Sequence, residues 1–295
     1  MMIRSIPVLF LALASIAFPA DLKPGEAIFG SAHHTEYVPG ELPLVISAPH
    51  GGALKPESIT TRTYGVRDAD ANTQDLARRI AEEIRKKTGR QMDLIISHLH
   101  RSKLDPNREI KEAAQGDSVA EKVWAEYHAF IDQALTAAVA RHGRAFLIDL
   151  HGQAHKDIRV ELGYMHSAAD YAQPEATLNG QAFAAKGTLK LITDLHSDVP
   201  YTDILTGLQS LGALIEERGF PATPSPRMPV PSEPYFRGGY TVFRHVKAER
   251  NIAGLQIEAN RIRLRDTPEN RQRFAESLVS ALQVYLPKWM NLEIK

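Results

Sequence analysis

Four short, continuous apolar runs in this chain each break off into polar residues. Residues 42–47 (LPLVIS) lead into Ala48-Pro49-His50-Gly51-Gly52, and residues 92–97 (MDLIIS) lead into His98-Leu99-His100-Arg101. Residues 145–150 (AFLIDL) lead into His151-Gly152, and residues 255–258 (LQIE) lead into Ala259-Asn260-Arg261. A strand with one wet face alternates apolar and polar residues, whereas uninterrupted runs suit strands covered on both faces, as in a mainly parallel sheet. Between the runs lie stretches with helical spacing. Residues 72–88 start in an Asp/Asn-rich segment and stop at Gly89, and residues 118–142 are bracketed by Asp117 and Gly143. Residues 203–218 and 268–286 complete the set. The alternation predicts an α/β fold with a central, mainly parallel mixed sheet flanked by helices. No internal repeat interrupts it. The Pro-rich stretch 221–234 is expected to be a long surface loop near the site, and residues 21–295 to form one domain.

The first residues read as an address. Met1-Met2-Ile3-Arg4 gives a short positive start, an apolar run follows over 6–18, and Ser15 and Ala17, or Ala20, stand where cleavage would occur. This is the layout of a secretory signal peptide over 1–20, and the apolar run falls short of the roughly 20 residues that a membrane span needs. An exported protein, periplasmic or secreted, is expected, with no stable membrane span after cleavage.

Composition narrows the chemistry. Lys plus Arg and Asp plus Glu each number 35, so the chain lacks the basic excess of a nucleic-acid binder. It has no cysteine, which excludes thiolate ligands, disulfides and a Cys nucleophile. A metal site would have to be built from His, Asp and Glu.

In open α/β sheets, sites gather at the carboxyl ends of strands. Here the four runs deliver His50, Arg101, His151 and Glu258 to that edge. His50 follows Pro49 and precedes two glycines, and His151 stands between a buried run and Gly152. Either histidine alone reads as a hydrogen-bonded turn residue. Two in equivalent positions point to a metal, and a catalytic zinc takes three protein ligands and keeps a fourth position open. Asp68, Asp70 and Asp75 are candidates for the third. Asp70 is placed best, with a helix cap as its competing role. Arg101 and Arg108 have the planar fork that grips a carboxylate, and Asn107 can add a hydrogen bond; a salt-bridged surface loop is the alternative. Glu258 is costly in an apolar strand without a partner. It reads as a general base beside the metal, or as the partner of Arg261 or Arg263.

Taken in order, the stretches SAPHGG (47–52), DANTQDLA (70–77), RSKLDPNRE (101–109), IDLHGQ (148–153), DIRVELGY (157–164), PYFRGGYTVFRH (234–245) and LQIEANRIRLRD (255–266) resemble the N-formylglutamate amidohydrolase family. That family is related in fold to zinc carboxypeptidases and to succinylglutamate desuccinylase-type enzymes. The resemblance implies a zinc ion (Zn2+) on His50, Asp70 and His151, with Glu258 as the base. It also implies that Asn107 and Arg108 face a substrate carboxylate, and that Arg101 meets the same carboxylate or the polarised carbonyl. Arg244, beyond Gly238 and Gly239, falls in a segment like the family's GGY loop and is a further substrate-binding candidate. The expected activity is hydrolysis of an amide in an N-acyl amino acid or short peptide with a free carboxylate. An exported zinc carboxypeptidase or peptidoglycan amidase would use the same ligands, and a non-catalytic binding protein would keep the same pocket. The chain departs from the family's usual pattern in its export signal and in the Gly-Gln that follows His151.

Overall fold

The computed structural model describes residues 22–295; the expected signal peptide and its cleavage positions lie outside the described residues. Among the described residues, eight strands join one sheet, in the order β1-β2-β4-β3-β5-β8-β6-β7. Its centre is the parallel set expected from the apolar runs: β4 (Asp93–Ser97), β3 (Leu44–Ala48), β5 (Ala145–Gln153) and β8 (Ile252–Asn260). On one side β2 (Thr35–Val38) runs antiparallel to β4 and carries the two-residue β1 (Ile28–Phe29). On the other side β6 (Val160–Gly163) runs antiparallel to β8 and pairs with the two-residue β7 (Ala222–Thr223).

Alternate residues of the central strands feed opposite layers, because successive strand side chains point to opposite faces. Leu44, Ile46, Phe146, Ile148 and Leu150 pack with Leu76, Ile80 and Ile84 of α1 (Thr73–Thr88) and with Phe274 and Leu278 of α11 (Pro268–Met290). Val45, Ile95 and Leu147 pack on the other face with Tyr127, Phe130, Ile131 and Leu135 of α3 (Ser118–His142) and with Val242 of α10 (Tyr240–His245). Each fully buried Leu, Ile or Phe contributes roughly 1.5–3 kcal/mol, so the sheet's continuous apolar runs require both layers. The helix punctuation also works as the sequence suggests. Asp117 accepts hydrogen bonds from the backbone N–H groups of Val119 and Ala120, and Gly89 and Gly143 close their helices in the left-handed conformation at φ 69° and 75°.

Three expectations are corrected. The helix expected over 203–218 is two, α8 (Tyr201–Thr206) and α9 (Leu211–Glu217), because Gly207 is extended and Ser210 caps a new start by accepting from the N–H of Ala213. The last helix runs on through Pro287 to Met290. The stretch 221–234 is not a plain surface loop at the site. It opens with edge strand β7, and its Ser232 and Pro234 are tied to buried Arg159, while the residues that reach the site follow it. Among the described residues no helix is long and apolar enough to cross a membrane.

Candidate metal centre

The carboxyl edge of the central strands gathers one buried cluster. His50 lies two residues past the end of β3. Asp70 lies three residues before α1, and His151 sits near the end of β5. One donor atom from each lies within 4.8 Å of the others, and all three side chains are buried. The His50 and His151 rings stand edge to face with centroids 4.6 Å apart. His50 Nδ1 and His151 Nδ1 lie 3.4 and 3.2 Å from the same oxygen, Asp70 Oδ2. Donors about 2.0–2.2 Å from a tetrahedral ion are spaced by about 3.3 Å, so each histidine stands at a separation from Asp70 that suits two donors sharing one ion. His50 Nδ1 is also buried with no hydrogen-bond partner, which is costly unless the atom serves a ligand.

The far nitrogens explain why the rings are held this way. His50 Nε2 meets Asp105 Oδ1 at 2.6 Å, and His151 Nε2 meets Asp149 Oδ2 at 2.7 Å. Each imidazole is thus backed by a buried carboxylate that holds a proton on Nε2 and leaves Nδ1 for an ion, the arrangement that orients metal-bound histidines. Both carboxylates are anchored in turn. Asp149 accepts from Ser47 Oγ at 2.6 Å, and Asp105 accepts from Arg101 Nε at 2.9 Å and from the N–H of Asn107 at 3.1 Å. Asp105 was not singled out in the sequence, although it lies inside the RSKLDPNRE stretch. Asp149 shares the Leu147 face of β5 with His151 two residues on, the strand spacing that sets it beside that ring.

The competing role for Asp70 is not the one it takes. Its carboxylate accepts from the N–H of Gly152 at 3.1 Å and faces both histidines, and no side chain caps α1. Burial opposes its ionisation, but His50 and His151 outweigh that and hold the carboxyl well below the usual range. Asp105 is likewise held far down, His50 and Arg101 overcoming its burial. Burial would lower His151, yet Asp149 and Asp70 raise it to about 10.

Glu258 stands directly opposite His151 in the β5–β8 register and opposite Glu161 in the β6–β8 register. Its Oε1 accepts from Gln256 Nε2 at 2.8 Å, whereas buried Oε2 has no partner. Burial pushes its carboxyl up to about 8; His151 pulls it down, and Asp70 and Glu161 repel its charge. It forms no ion pair with Arg261 or Arg263, so that alternative is not what the fold builds.

These groups open onto a cavity of about 440 Å³, whose lining includes His50, Asp70, Arg101, Asn107, Arg108, His151, Glu258, Arg261 and Arg265. Of the expected substrate-binding residues, Arg101, Asn107 and Arg108 reach it. Arg101 is held by Asp105 and lies 3.7 Å from Asp70. Arg108 donates to Glu112 and to the backbone oxygen of Asn107. Asn107 is the buried keystone of the wall: Oδ1 accepts from the N–H of Thr241 at 2.9 Å, and Nδ2 lies 3.2 Å from His151 Nε2. A methyl group on Gly239 would overlap its amide. Arg244 does not join the others. Its guanidinium lies over the Trp124 ring, 5.1 Å from the centroid, outside the cavity lining. Arg265, unmarked in the sequence, donates to the backbone oxygens of Ala259, Gln153 and Ala71 and presses against Gly152.

No family model matches the chain, and no curated protein matches it in sequence. Solved structures do match in shape. The fold is shared with an N-formylglutamate amidohydrolase. That protein, from Ralstonia eutropha JMP134, superposes with a TM-score of 0.54 at 14% identity, over 85% of this chain and 96% of that one. The gene product Atu2144 from Agrobacterium tumefaciens superposes with a TM-score of 0.52 at 12% identity, over 84% of this chain and 92% of that one. At such identities the likeness establishes the architecture, and the site stands on its own geometry.

Proposed function

We propose that the protein is an exported zinc-dependent hydrolase that cleaves an amide bond in an N-acyl amino acid or short peptide bearing a free carboxylate. The observation that carries the reading is the pairing of a three-donor cluster, His50, Asp70 and His151, with a buried carboxylate whose Oε2 is unsatisfied, Glu258, on one cavity wall. Donors limited to two imidazoles and a carboxylate suit zinc, and the name of the Ralstonia protein supports amide hydrolysis. Export rests on the leading segment alone.

A divalent ion held by the three donors would polarise a carbonyl oxygen and make nearby water more acidic. The chain's own residues supply the rest. Asp105 and Asp149 keep the proton of each imidazole on Nε2, so that both Nδ1 atoms stay available. Glu258 Oε2 takes a proton from the water whose oxygen attacks the carbonyl carbon. When the carbon–nitrogen bond breaks, Oε2 returns that proton to the leaving nitrogen, giving an acid and an amine. A carboxyl poised near neutrality suits both transfers.

The test is metal analysis of the purified protein, followed by hydrolysis of a panel of N-acyl amino acids and short peptides before and after chelation. One bound zinc per chain and chelator-sensitive release of amine are expected. Absence of tightly bound metal, together with activity indifferent to chelation, would defeat the reading in favour of a binding protein. Cleavage confined to peptides or to peptidoglycan fragments would shift the substrate class and leave the chemistry intact.

A further inference from the structure

We propose that Arg261 is the residue that recognises the substrate's free carboxylate, an inference that rests on the amide-hydrolase reading and gives its substrate a docking point. Four arginines line the cavity. Three are already engaged: Arg101 by Asp105, Arg108 by Glu112 and the Asn107 carbonyl, and Arg265 by three backbone oxygens. Among the described residues, Arg261 alone of the four donates no hydrogen bond and forms no ion pair, and it is exposed. Turning Arg101 towards a substrate would strip the carboxylate that backs His50 of the nearer of its two buried arginines, leaving only Arg62 at 3.9 Å, which is unfavourable. Arg261 can take a carboxylate without giving anything up.

Unpaired surface arginines are common, so the placement matters more than the vacancy. Arg261 follows directly on strand β8, three residues beyond Glu258. Its backbone is held by the buried Asn260 side chain. Asn260 Nδ2 donates to Gln153 Oε1 at 3.0 Å and to the backbone oxygens of His155 and Asp157 at 2.9 and 3.2 Å, while its Oδ1 accepts from the N–H of Ile262 at 2.9 Å. The turn is therefore anchored at its backbone, which fixes where the Arg261 side chain leaves the strand at the rim of the cavity. The Arg261 and Arg265 charges repel each other. An anion in the cavity beside them relieves that repulsion, and the planar fork of Arg261 matches both oxygens of a carboxylate.

The experiment measures binding of N-benzoylglycine and of its carboxamide, which differ in the negative charge, to the full-length protein by calorimetric titration. A hydrogen-bonded charged partner gives a preference of about 10- to 100-fold for the acid. That preference is expected in the unmodified protein, to fall within about twofold in Arg261→Ala, to return in part in Arg261→Lys, and to persist in Arg108→Ala. An unchanged preference in Arg261→Ala, a preference lost instead in Arg108→Ala, or no preference in the unmodified protein would each overturn the assignment. Unaltered thermal unfolding of Arg261→Ala verifies that the variant is folded. Failure of the parent reading looks different: no amide in the panel is cleaved by the zinc-loaded protein, while the Arg261-dependent preference for the acid remains.

Discussion

Metal uptake should depend steeply on pH because of one buried hydrogen-bonded pair. His151 faces Asp149 at 2.7 Å on one nitrogen and Asp70 at 3.2 Å on the other. Burial favours its neutral form, but the two carboxylates outweigh it and raise its pKa to about 10. In the metal-free protein at pH 7 the ring is therefore protonated on both nitrogens. An ion can take Nδ1 only after that proton leaves. The gap between pH 7 and about 10 makes the protonated form about a thousandfold more abundant, which costs metal binding about 4 kcal/mol at neutral pH. Apparent affinity rises about tenfold for each pH unit between 6 and 9, and at least one proton is released per ion bound. Competition with a chromophoric chelator across this range gives the slope, and calorimetry in buffers of different ionisation enthalpy gives the proton count. Asp149→Asn keeps an oxygen for His151 and an amide for Ser47 but removes the charge, so its slope should be shallower. A flat affinity profile with no proton release would mean that His151 is already neutral before the ion arrives, contrary to the pairing with Asp149 and Asp70.

Further outcomes follow from the same geometry. His151→Ala should lose both metal and turnover, whereas Glu258→Gln should retain stoichiometric metal by elemental analysis and lose about 10²–10⁴ in kcat; normal turnover in Glu258→Gln would remove it as the base. Gly239→Ala should displace the Asn107 amide, costing about 1–3 kcal/mol in urea unfolding and weakening metal retention, since that amide lies against His151. Asp93, buried in β4 where it accepts from Tyr37 and the N–H of Gly40, is raised by burial from 3.8 to about 6. The folded state holds this proton more tightly than the unfolded chain, so between pH 4 and 6 stability falls as pH rises. The loss approaches about 3 kcal/mol. Asp93→Asn should gain on the unmodified protein by about that amount between pH 4 and 8, and parallel unfolding curves would contradict it.

The parts of the site that were legible in the sequence were those coupled to local pattern. A buried strand announces itself by composition, and a polar residue that ends it must lie at the sheet's edge; this located His50, His151 and Glu258. Asp70 was only one of three nearby acids. Local spacing cannot say which carboxylate turns towards a partner 81 residues away, and its link to His151 is a contact of that range. Arg244 shows the converse. It lies in a stretch that reaches the site through Gly238 and Gly239, but α10 turns its guanidinium onto Trp124.

The class of fold, the parallel core and the absence of thiol ligands could be read from the chain alone, because they depend on periodicity and on which residue types are present. Which distant groups meet depends on how the strands and loops are packed. Asp105 reached His50 across 55 residues, and Arg265 was taken up by the backbone of Ala71 and Gln153, each more than 100 residues away, whereas Asp149 with His151, Arg101 with Asp105 and Arg108 with Glu112 pair within a few residues. Charge pairing at a few ångströms depends on where the backbone brings side chains together, and linear spacing does not encode that distance.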